Sequence, residues 1–344
     1  MIDTSLHQSE PVALPGRPNG TVGRSIARHA LVTALMTVTA MFVFVPAALL
    51  HCGLRNGRRA AWLCAAIALA PLAAWAAFSP AAERTGGLVS LAFVTFAIVL
   101  PSLIVLPLVE RGTKFGSVVV LMLLGSLAGL FATELVSQAA LNHSPYAAQL
   151  AENKEFYAKI AQEYRKNGAP AGFIDAVKRA GDYSLFVLPA AFLTSLSFAF
   201  MLSLLMLGRL TAWRELAARR NDNEALGIYL FRNFALPDWV LFAFVLGGLT
   251  PVASGLVQQI AANTLTVVVF LYIVQGLAIF RFLLASIGGG LAQTLFGWVM
   301  LGFLTLLTAG LPVLLLGVAG LFDSFFDFRH FRKRKDDSHE SHSD

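Results

Sequence analysis

The sequence predicts an all-α fold, a polytopic bundle of about eight transmembrane helices with a helical soluble insert between the fourth and fifth spans. Eight apolar runs approach or exceed the length of about 20 residues that a helix needs to cross a hydrocarbon core. Of the 344 residues, 57% are hydrophobic and only 13% are charged, and the charges lie almost entirely between the runs. Because backbone amides in lipid must be satisfied within the protein, helices are the expected structure for these runs.

The runs divide the chain into five parts. Residues 1–29 are polar and rich in proline and glycine, which predicts a disordered N-terminal segment. Residues 30–135 hold spans one to four, 136–184 the insert, 185–322 spans five to eight, and 323–344 a basic interfacial and disordered tail. The first run is longer than the apolar core of a signal peptide, which favours a retained span. The eight runs are Ala30–Leu50, Ala60–Phe78, Gly87–Leu108, Phe115–Leu135, Leu185–Leu207, Trp239–Val257, Ala261–Phe282 and Thr294–Phe322.

The insert carries the pattern of an amphipathic helix. Apolar side chains recur three, four or seven residues apart, with charged residues mostly between them. The sequence Asn167-Gly168-Ala169-Pro170 breaks this pattern, and a shorter helix over Phe173–Ala180 is predicted to follow. Two interpretations stay open, a helix lying on the protein's own membrane domain and a docking surface for a partner. The apolar stripe consists of Tyr146, Leu150, Tyr157, Ile160 and Tyr164.

Basic residues are concentrated at the predicted membrane surfaces. The net charge of +6 fits the positive-inside bias and makes the anionic lipid bilayer the first expected partner. Nucleic-acid binding is not expected, because no basic stripe with interleaved aromatic residues is present. Both termini are expected in the cytoplasm, although the basic loop Gly208–Asp238 then falls on the opposite side. The membrane-surface residues of the tail are Arg329, Arg332, Lys333, Arg334 and Lys335.

Few polar side chains interrupt the spans, and these are the candidate ligand-binding residues. Glu134 ends the fourth span, where a functional role and simple snorkelling to the interface are both open. Asn263, Tyr272 and Gln275 lie in the seventh span, and the last two share a helix face. That face is expected to point into the bundle, because a glutamine facing hydrocarbon without a partner loses several kcal/mol of solvation. It forms either interhelical hydrogen bonds or a polar-lined pocket, and Gly276 lets a neighbouring backbone or ligand come close.

Enzyme signatures are missing from the sequence. It contains no HExxH, no GxSxG, no P-loop and no GxGxxG between a strand and a helix. The chain is therefore expected not to be an enzyme and to need no cofactor. Cys52 and Cys64 form no CxxC pair, and no Cys/His cluster has the spacing of a metal site, so no metal is expected.

Three motifs in the second half carry a family resemblance. They are Tyr229-x-Phe231-Arg232-Asn233-x-x-Leu236-Pro237-Asp238-Trp239, then Asn263-x-Leu265 with Leu271-Tyr272-x-x-Gln275-Gly276-Leu277-Ala278, and finally Gly320-x-x-Asp323-x-x-x-Asp327-Phe328-Arg329. The chain resembles the YybS-like family of bacterial membrane proteins over roughly Ala30–Arg332. That family is in turn similar to the substrate-binding S components of energy-coupling-factor vitamin transporters. S components usually have six spans and no long central insert, and the present sequence departs from both features.

The resemblance implies a small-molecule binding or transport subunit in the bacterial inner membrane. Such a subunit works with a coupling membrane protein and an ATPase partner. The rival interpretation is a non-transporting scaffold that recruits a partner through residues 136–184 or through the basic tail. A small molecule that co-purifies with the protein favours the first, and co-purifying polypeptides favour the second.

Overall fold

A computed structural model describes residues 19–219, 227–286 and 290–326 of the chain. Every regular element in these residues is helical, which agrees with the predicted all-α membrane bundle. The N-terminal residues 1–18 lie outside the described part of the chain. So do the predicted membrane-surface residues of the tail, Arg329, Arg332, Lys333, Arg334 and Lys335.

Most of the helices follow one another with short connections. The first half contains α1 (Asn19–Thr37), α2 (Val45–Asn56), α3 (Arg58–Phe78), α4 (Ala81–Phe93), α5 (Leu100–Glu110) and α6 (Phe115–Leu141). A 3₁₀ turn, Ala40–Phe44, precedes α2, and a π-helix, Val94–Val99, joins α4 to α5. The second half contains α7 (Pro145–Lys166), α8 (Ala171–Phe186), α9 (Leu188–Leu207), α10 (Thr211–Arg219), α11 (Val240–Gly247), α12 (Gly255–Ser286), α13 (Leu291–Leu307) and α14 (Leu311–Phe326), with a 3₁₀ turn at Phe231–Asn233.

Five helices of the described residues are long and apolar enough to cross a membrane, and a bent pair raises this number to six. The five are α3, the continuous helix Glu83–Glu110, α6, α9 and α12. The sequence predicts eight spans because hydropathy alone does not register breaks in the backbone. Three of the eight apolar runs contain such breaks, so the count of eight remains a prediction.

The first apolar run, Ala30–Leu50, is divided between α1 and α2. Proline lacks a backbone N–H and is tolerated in the first turn of a helix, and Pro46 occupies that position in α2. The twelve residues of α2 reach about 18 Å. At its other end α1 begins at Asn19, so the last part of the segment predicted to be disordered is helical.

The sixth run, Trp239–Val257, contains the eight-residue helix α11 and only the first three residues of α12. Gly248 follows the helix, and Pro251 disfavours helical backbone at the residue before it. Gly247 also lets α11 meet α12, because a Cβ there would lie 2.9 Å from the backbone of Leu265. This helix of about 12 Å is too short to cross a hydrocarbon core by itself.

The last run, Thr294–Phe322, is bent by 116° between α13 and α14. At the bend Ala309 has a φ of 49° and Gly310 has a φ of 91°. Pro312 then stands near the start of α14, where the missing N–H does no harm. The backbone therefore reverses inside an apolar stretch, as in a broken span or a re-entrant loop.

Helices α7 and α8 form a hairpin whose break matches the predicted one at residues 167–170. The second helix is longer than the predicted Phe173–Ala180. Gly181 of α8 lies against the ring of Tyr157, and Tyr164 stacks edge-on with Phe173 at 4.9 Å. Part of the predicted apolar stripe is thus used inside the hairpin rather than on an outer surface.

Close backbone contacts between spans occur at glycines. A Cβ on Gly129 of α6 would lie 2.0 Å from the carbonyl oxygen of Phe96 in the π-helix. In α12 and α14, a Cβ on Gly276 would lie 1.9 Å from the Leu316 oxygen, and one on Gly320 would lie 2.0 Å from the Tyr272 oxygen. In lipid the hydrophobic effect does not drive helices together, because the acyl chains are as apolar as the side chains. Helix packing therefore relies on small residues that let two backbones approach closely. The approach predicted at Gly276 is therefore made by a neighbouring backbone.

The substitution Gly276→Ala tests this contact, because its methyl group needs space that the Leu316 oxygen occupies. We expect a loss of about 1–3 kcal/mol in the free energy of unfolding, as for other overpacked sites. The measurement is the thermal unfolding temperature of the purified protein in detergent. Gly302→Ala in α13 is the matched control, since a Cβ there meets nothing within 4 Å. Equal unfolding temperatures for the two variants would contradict the contact.

Candidate functional site

The polar face of α12 points into the bundle, as the sequence predicts. Gln275 is 1% exposed and Tyr272 is 2% exposed. The ring of Tyr272 packs edge-on against Phe244 of α11 at 5.8 Å. The alternative arrangement, with this face against lipid, is excluded by these values.

Gln275 links three separate parts of the chain through its side-chain amide. Its Oε1 accepts a hydrogen bond of 3.0 Å from the backbone N–H of Leu236, and its Nε2 donates one of 3.0 Å to Oδ2 of Asp323 in α14. Asp323 is itself 8% exposed. Both ends of the amide are therefore bonded within the protein, which is the arrangement expected of a structural interhelical bond.

The segment around Leu236 is folded into the core by aromatic side chains. Phe115 at the start of α6 stacks edge-on with Tyr229 at 5.8 Å and with Phe234 at 5.1 Å, and Trp213 lies 4.6 Å from Tyr229. All four side chains are at most 1% exposed. The aromatic cluster therefore holds this segment in reach of Gln275.

The side-chain amide of Asn263 is hydrogen-bonded to backbone groups at the start of α9. Its Oδ1 accepts a bond of 2.8 Å from the backbone N–H of Ala190, and its Nδ2 donates to the oxygens of Phe186 and Gln259 at 3.1 and 2.8 Å. Pro189 stands at this break between α8 and α9, where helical bonding is interrupted. The asparagine supplies partners for backbone groups that the break leaves free.

Glu134 organises the turn that enters the hairpin. Its carboxylate accepts hydrogen bonds from the hydroxyl of Ser144, from the backbone N–H of Tyr146 at 3.1 Å, and from Nε2 of Gln138 at 2.7 Å. Ser144 in turn accepts a bond from the backbone N–H of Ala147 as the cap of α7. A carboxylate at a helix N-terminus is favourable because the exposed N–H groups and the helix dipole attract it. The side chain is bonded to the protein rather than snorkelling freely.

The sequence-predicted ligand residues do not converge on one site. Asn263 and Glu134 bind backbone groups at two different helix junctions, and Gln275 with Tyr272 lies at a third. Nor do three His, Cys, Asp or Glu side chains within the described ranges come together as a metal ion would require.

A different group of polar atoms lacks partners. Among the described residues, His51 Nδ1 and Arg55 Nε of α2 and Trp213 Nε1 of α10 are buried without a hydrogen bond. His51 and Arg55 are four residues apart and share one face of α2, and α10 packs against α2. We call these three residues the α2–α10 nitrogen group. The spacing of His51 and Arg55 is visible in the sequence, but the contribution of Trp213, more than 150 residues later, is not.

The surroundings of this group are polar and carry an excess of positive charge. Arg28, Arg55 and Glu215 all act electrostatically on His51. The ring of His29 lies 5.1 Å from that of His51, and the N–H at His29 Nδ1 donates to the Ser25 oxygen at 2.6 Å.

One comparison with known proteins gives a match. The family model described as "Predicted membrane protein (DUF2232)" matches residues 28–324. The chain belongs to this family. The matched range covers all the helices long enough to span the membrane, the α7–α8 hairpin and Asp323, so the polar contacts described above lie within the DUF2232 region. No curated protein and no solved structure matches the chain significantly.

The substitution Gln275→Leu tests the central polar contact of this DUF2232 chain. It leaves the Leu236 N–H without its partner and removes one partner of Asp323, so we expect a loss of about 1–3 kcal/mol in unfolding free energy. Gln293→Leu, at an exposed position of α13, is the control and should change it by less than about 0.5 kcal/mol. Thermal unfolding in detergent measures both. A Gln275→Leu protein as stable as the control would show that the bridge contributes nothing.

Proposed function

We propose that this chain is a small-molecule binding subunit of a transport system in the bacterial inner membrane, of the YybS-like and S-component type, and that it is not an enzyme. The observation that supports the proposal most is the α2–α10 nitrogen group. Buried polar atoms in proteins are almost always hydrogen-bonded, and leaving one unpaired costs about 1–3 kcal/mol. Three such atoms on one pair of packed helices favour an external partner over three unrelated defects.

The chemistry of the group indicates what that partner is. A guanidinium and an indole can only donate hydrogen bonds, and an imidazole can donate through at least one nitrogen. The charged residues that act on His51 are two arginines and one glutamate, which leaves an excess of one positive charge. A small molecule with a carboxylate or phosphate group suits this set, because arginine binds both with strong charge-assisted bonds.

The topology proposed for this subunit has eight spans with both termini in the cytoplasm. Five single helices and the bent pair α13–α14 supply six of them. The first run, with α1 and the short apolar helix Met41–Asn56, would supply a seventh span. The eighth would need α11 together with the turns that follow it, because the helix alone is too short. The α7–α8 hairpin would then lie outside the hydrocarbon, as the predicted soluble insert. Energy for transport would come from an ATPase and a coupling membrane protein.

The scaffold alternative has one observation in its favour. A groove of about 380 Å³ runs between α7 and α8, and basic side chains predominate among its charges. Lys154, Arg165 and Lys178 line it with the single acid Asp182. A partner that presents acidic residues would fit this groove, and the hairpin would then recruit a protein rather than serve a transporter.

Substitution of Arg55 tests the binding proposal. Small molecules released from the purified wild-type protein would be identified and quantified by mass spectrometry. A hydrogen bond to a charged group contributes about 1.5–3 kcal/mol, so we expect Arg55→Gln to lower retention of an anionic compound by at least about 10-fold. Trp213→Phe removes the five-membered ring of the indole with its N–H and keeps an aromatic side chain. It should also lower retention of the anionic compound. Arg209→Gln is the matched control at an exposed position.

Two results would contradict the binding proposal. One is a wild-type protein that releases no anionic small molecule. The other is equal retention by the Arg55→Gln and Arg209→Gln proteins at equal thermal stability. Polypeptides that co-purify with wild type and are lost on Lys178→Glu would instead favour the scaffold.

A further inference from the structure

An apolar cavity lies between the start of the helix Glu83–Glu110 and the end of α6. Its volume is about 300 Å³. Leu88, Leu91 and Phe96 line one side, and Val136, Ala140 and Leu141 line the other. Thr95 of the π-helix and Ser137 of α6 are its only polar lining residues. Apart from Phe96, whose backbone meets Gly129, none of these residues takes part in the contacts assigned above.

The cavity forms because the two helices touch at one level and separate at another. At Gly129 the backbones are in contact, and nearby the Ser126 hydroxyl donates a bond of 2.6 Å to the Ala97 oxygen of the π-helix. Ser137 lies eight residues further along α6, or about 12 Å away, and there the cavity intervenes. A π-turn inside a longer helix is frequently found at functional sites.

The hydroxyl of Ser137 has no hydrogen-bond partner among the described residues, although the residue is only 1% exposed. A helical serine in lipid ordinarily bonds the carbonyl four residues earlier, as Ser102 bonds Ile98 at 2.6 Å. Ser137 lines this otherwise apolar space, and its buried hydroxyl is a donor and acceptor that no described residue uses. Such a group indicates a missing ligand atom.

The position of the cavity along its two helices indicates what kind of molecule occupies it. Leu88 lies five residues, or about 8 Å, from the start of the span at Glu83, and Ser137 lies four residues, or about 6 Å, from the end of α6. The cavity therefore lies near the ends of two spans, the level at which we expect the boundary between headgroups and acyl chains. The ester groups of phospholipids lie at this level, with the acyl chains directly below.

We propose that this cavity binds one acyl chain of a bilayer phospholipid, with the ester carbonyl of that chain accepting a hydrogen bond from the Ser137 hydroxyl. The apolar walls match the methylene chain, and the single hydroxyl matches the single ester acceptor at its end. The site is separate from the α2–α10 nitrogen group, so it does not depend on the proposed transport function.

Lipid retention by the intact protein tests the site. Detergent-purified protein is delipidated, mixed with a diacyl phosphatidylethanolamine or with its diether analogue, and examined by native mass spectrometry. Wild type should retain one tightly bound diacyl lipid and bind the diether analogue more weakly, because ether oxygens are poor acceptors. Ser137→Ala should weaken diacyl binding about 2- to 10-fold, as expected for one hydrogen bond, and leave diether binding unchanged.

Two further variants separate the site from general lipid coating. Ala140→Trp fills the cavity and should abolish the tightly bound lipid. Ser195→Ala removes a hydroxyl that already bonds the Ala191 oxygen at an exposed position of α9, and it should change nothing. Equal retention of diacyl and diether lipid by wild type would overturn the proposal, as would equal diacyl binding by wild type and Ser137→Ala. The ester-to-ether comparison uses wild type alone, so it decides the matter even if Ala140→Trp fails to fold.

Discussion

The side-chain amide of Gln275 holds together the second half of the bundle. It bonds the backbone N–H of Leu236 on one side and the carboxylate of Asp323 on the other. The segment before α11 is irregular, so the Leu236 N–H finds no partner in a helix of its own. In a low-dielectric interior an unpaired amide or carboxylate raises the free energy of the folded state. Gln275 provides a hydrogen-bond partner for both the Leu236 N–H and the Asp323 carboxylate. The segment, α12 and α14 are thereby fixed relative to one another.

The same segment joins the second half to the first. A Cβ on Gly116 of α6 would lie 2.0 Å from the Ala235 oxygen, so the backbones of α6 and this segment touch. Phe115, next to that glycine, stacks with Phe234. This segment therefore connects α12 to α6, because it is hydrogen-bonded to Gln275 on one side and packs against Gly116 on the other.

Three polar side chains in or beside these spans supply partners at interruptions of the backbone. Each of them accepts a hydrogen bond from a backbone N–H. Gln275 does so in the irregular segment before α11, Asn263 at the break near Pro189, and Glu134 at the turn into the α7–α8 hairpin. Each break frees backbone groups that water would satisfy in a soluble protein and that side chains must satisfy here. The three unpaired nitrogens on α2 and α10 and the hydroxyl of Ser137 depart from this pattern, which is why they suggest ligands.

Hydropathy and solvation cost predicted the helical class and the inward face of α12, because both depend on local composition. The partner of Gln275 is beyond such reasoning, because Asp323 lies 48 residues away and begins the segment predicted as a tail. Hydropathy also does not predict the interruptions at Pro46, Gly248 and Gly310. A 20-residue hydropathy window averages over a single glycine or proline, whereas the backbone responds to each one.

A double-mutant cycle on Gln275 and Asp323 tests most directly whether this bond organises the bundle. Unfolding free energies of wild type, Gln275→Ala, Asp323→Ala and the double variant would be measured under one set of detergent conditions. A hydrogen bond to a carboxylate predicts a coupling energy of at least about 1 kcal/mol, with the double variant less destabilised than the sum of the singles. Additive effects within about 0.3–0.5 kcal/mol would contradict a direct bond between the two side chains.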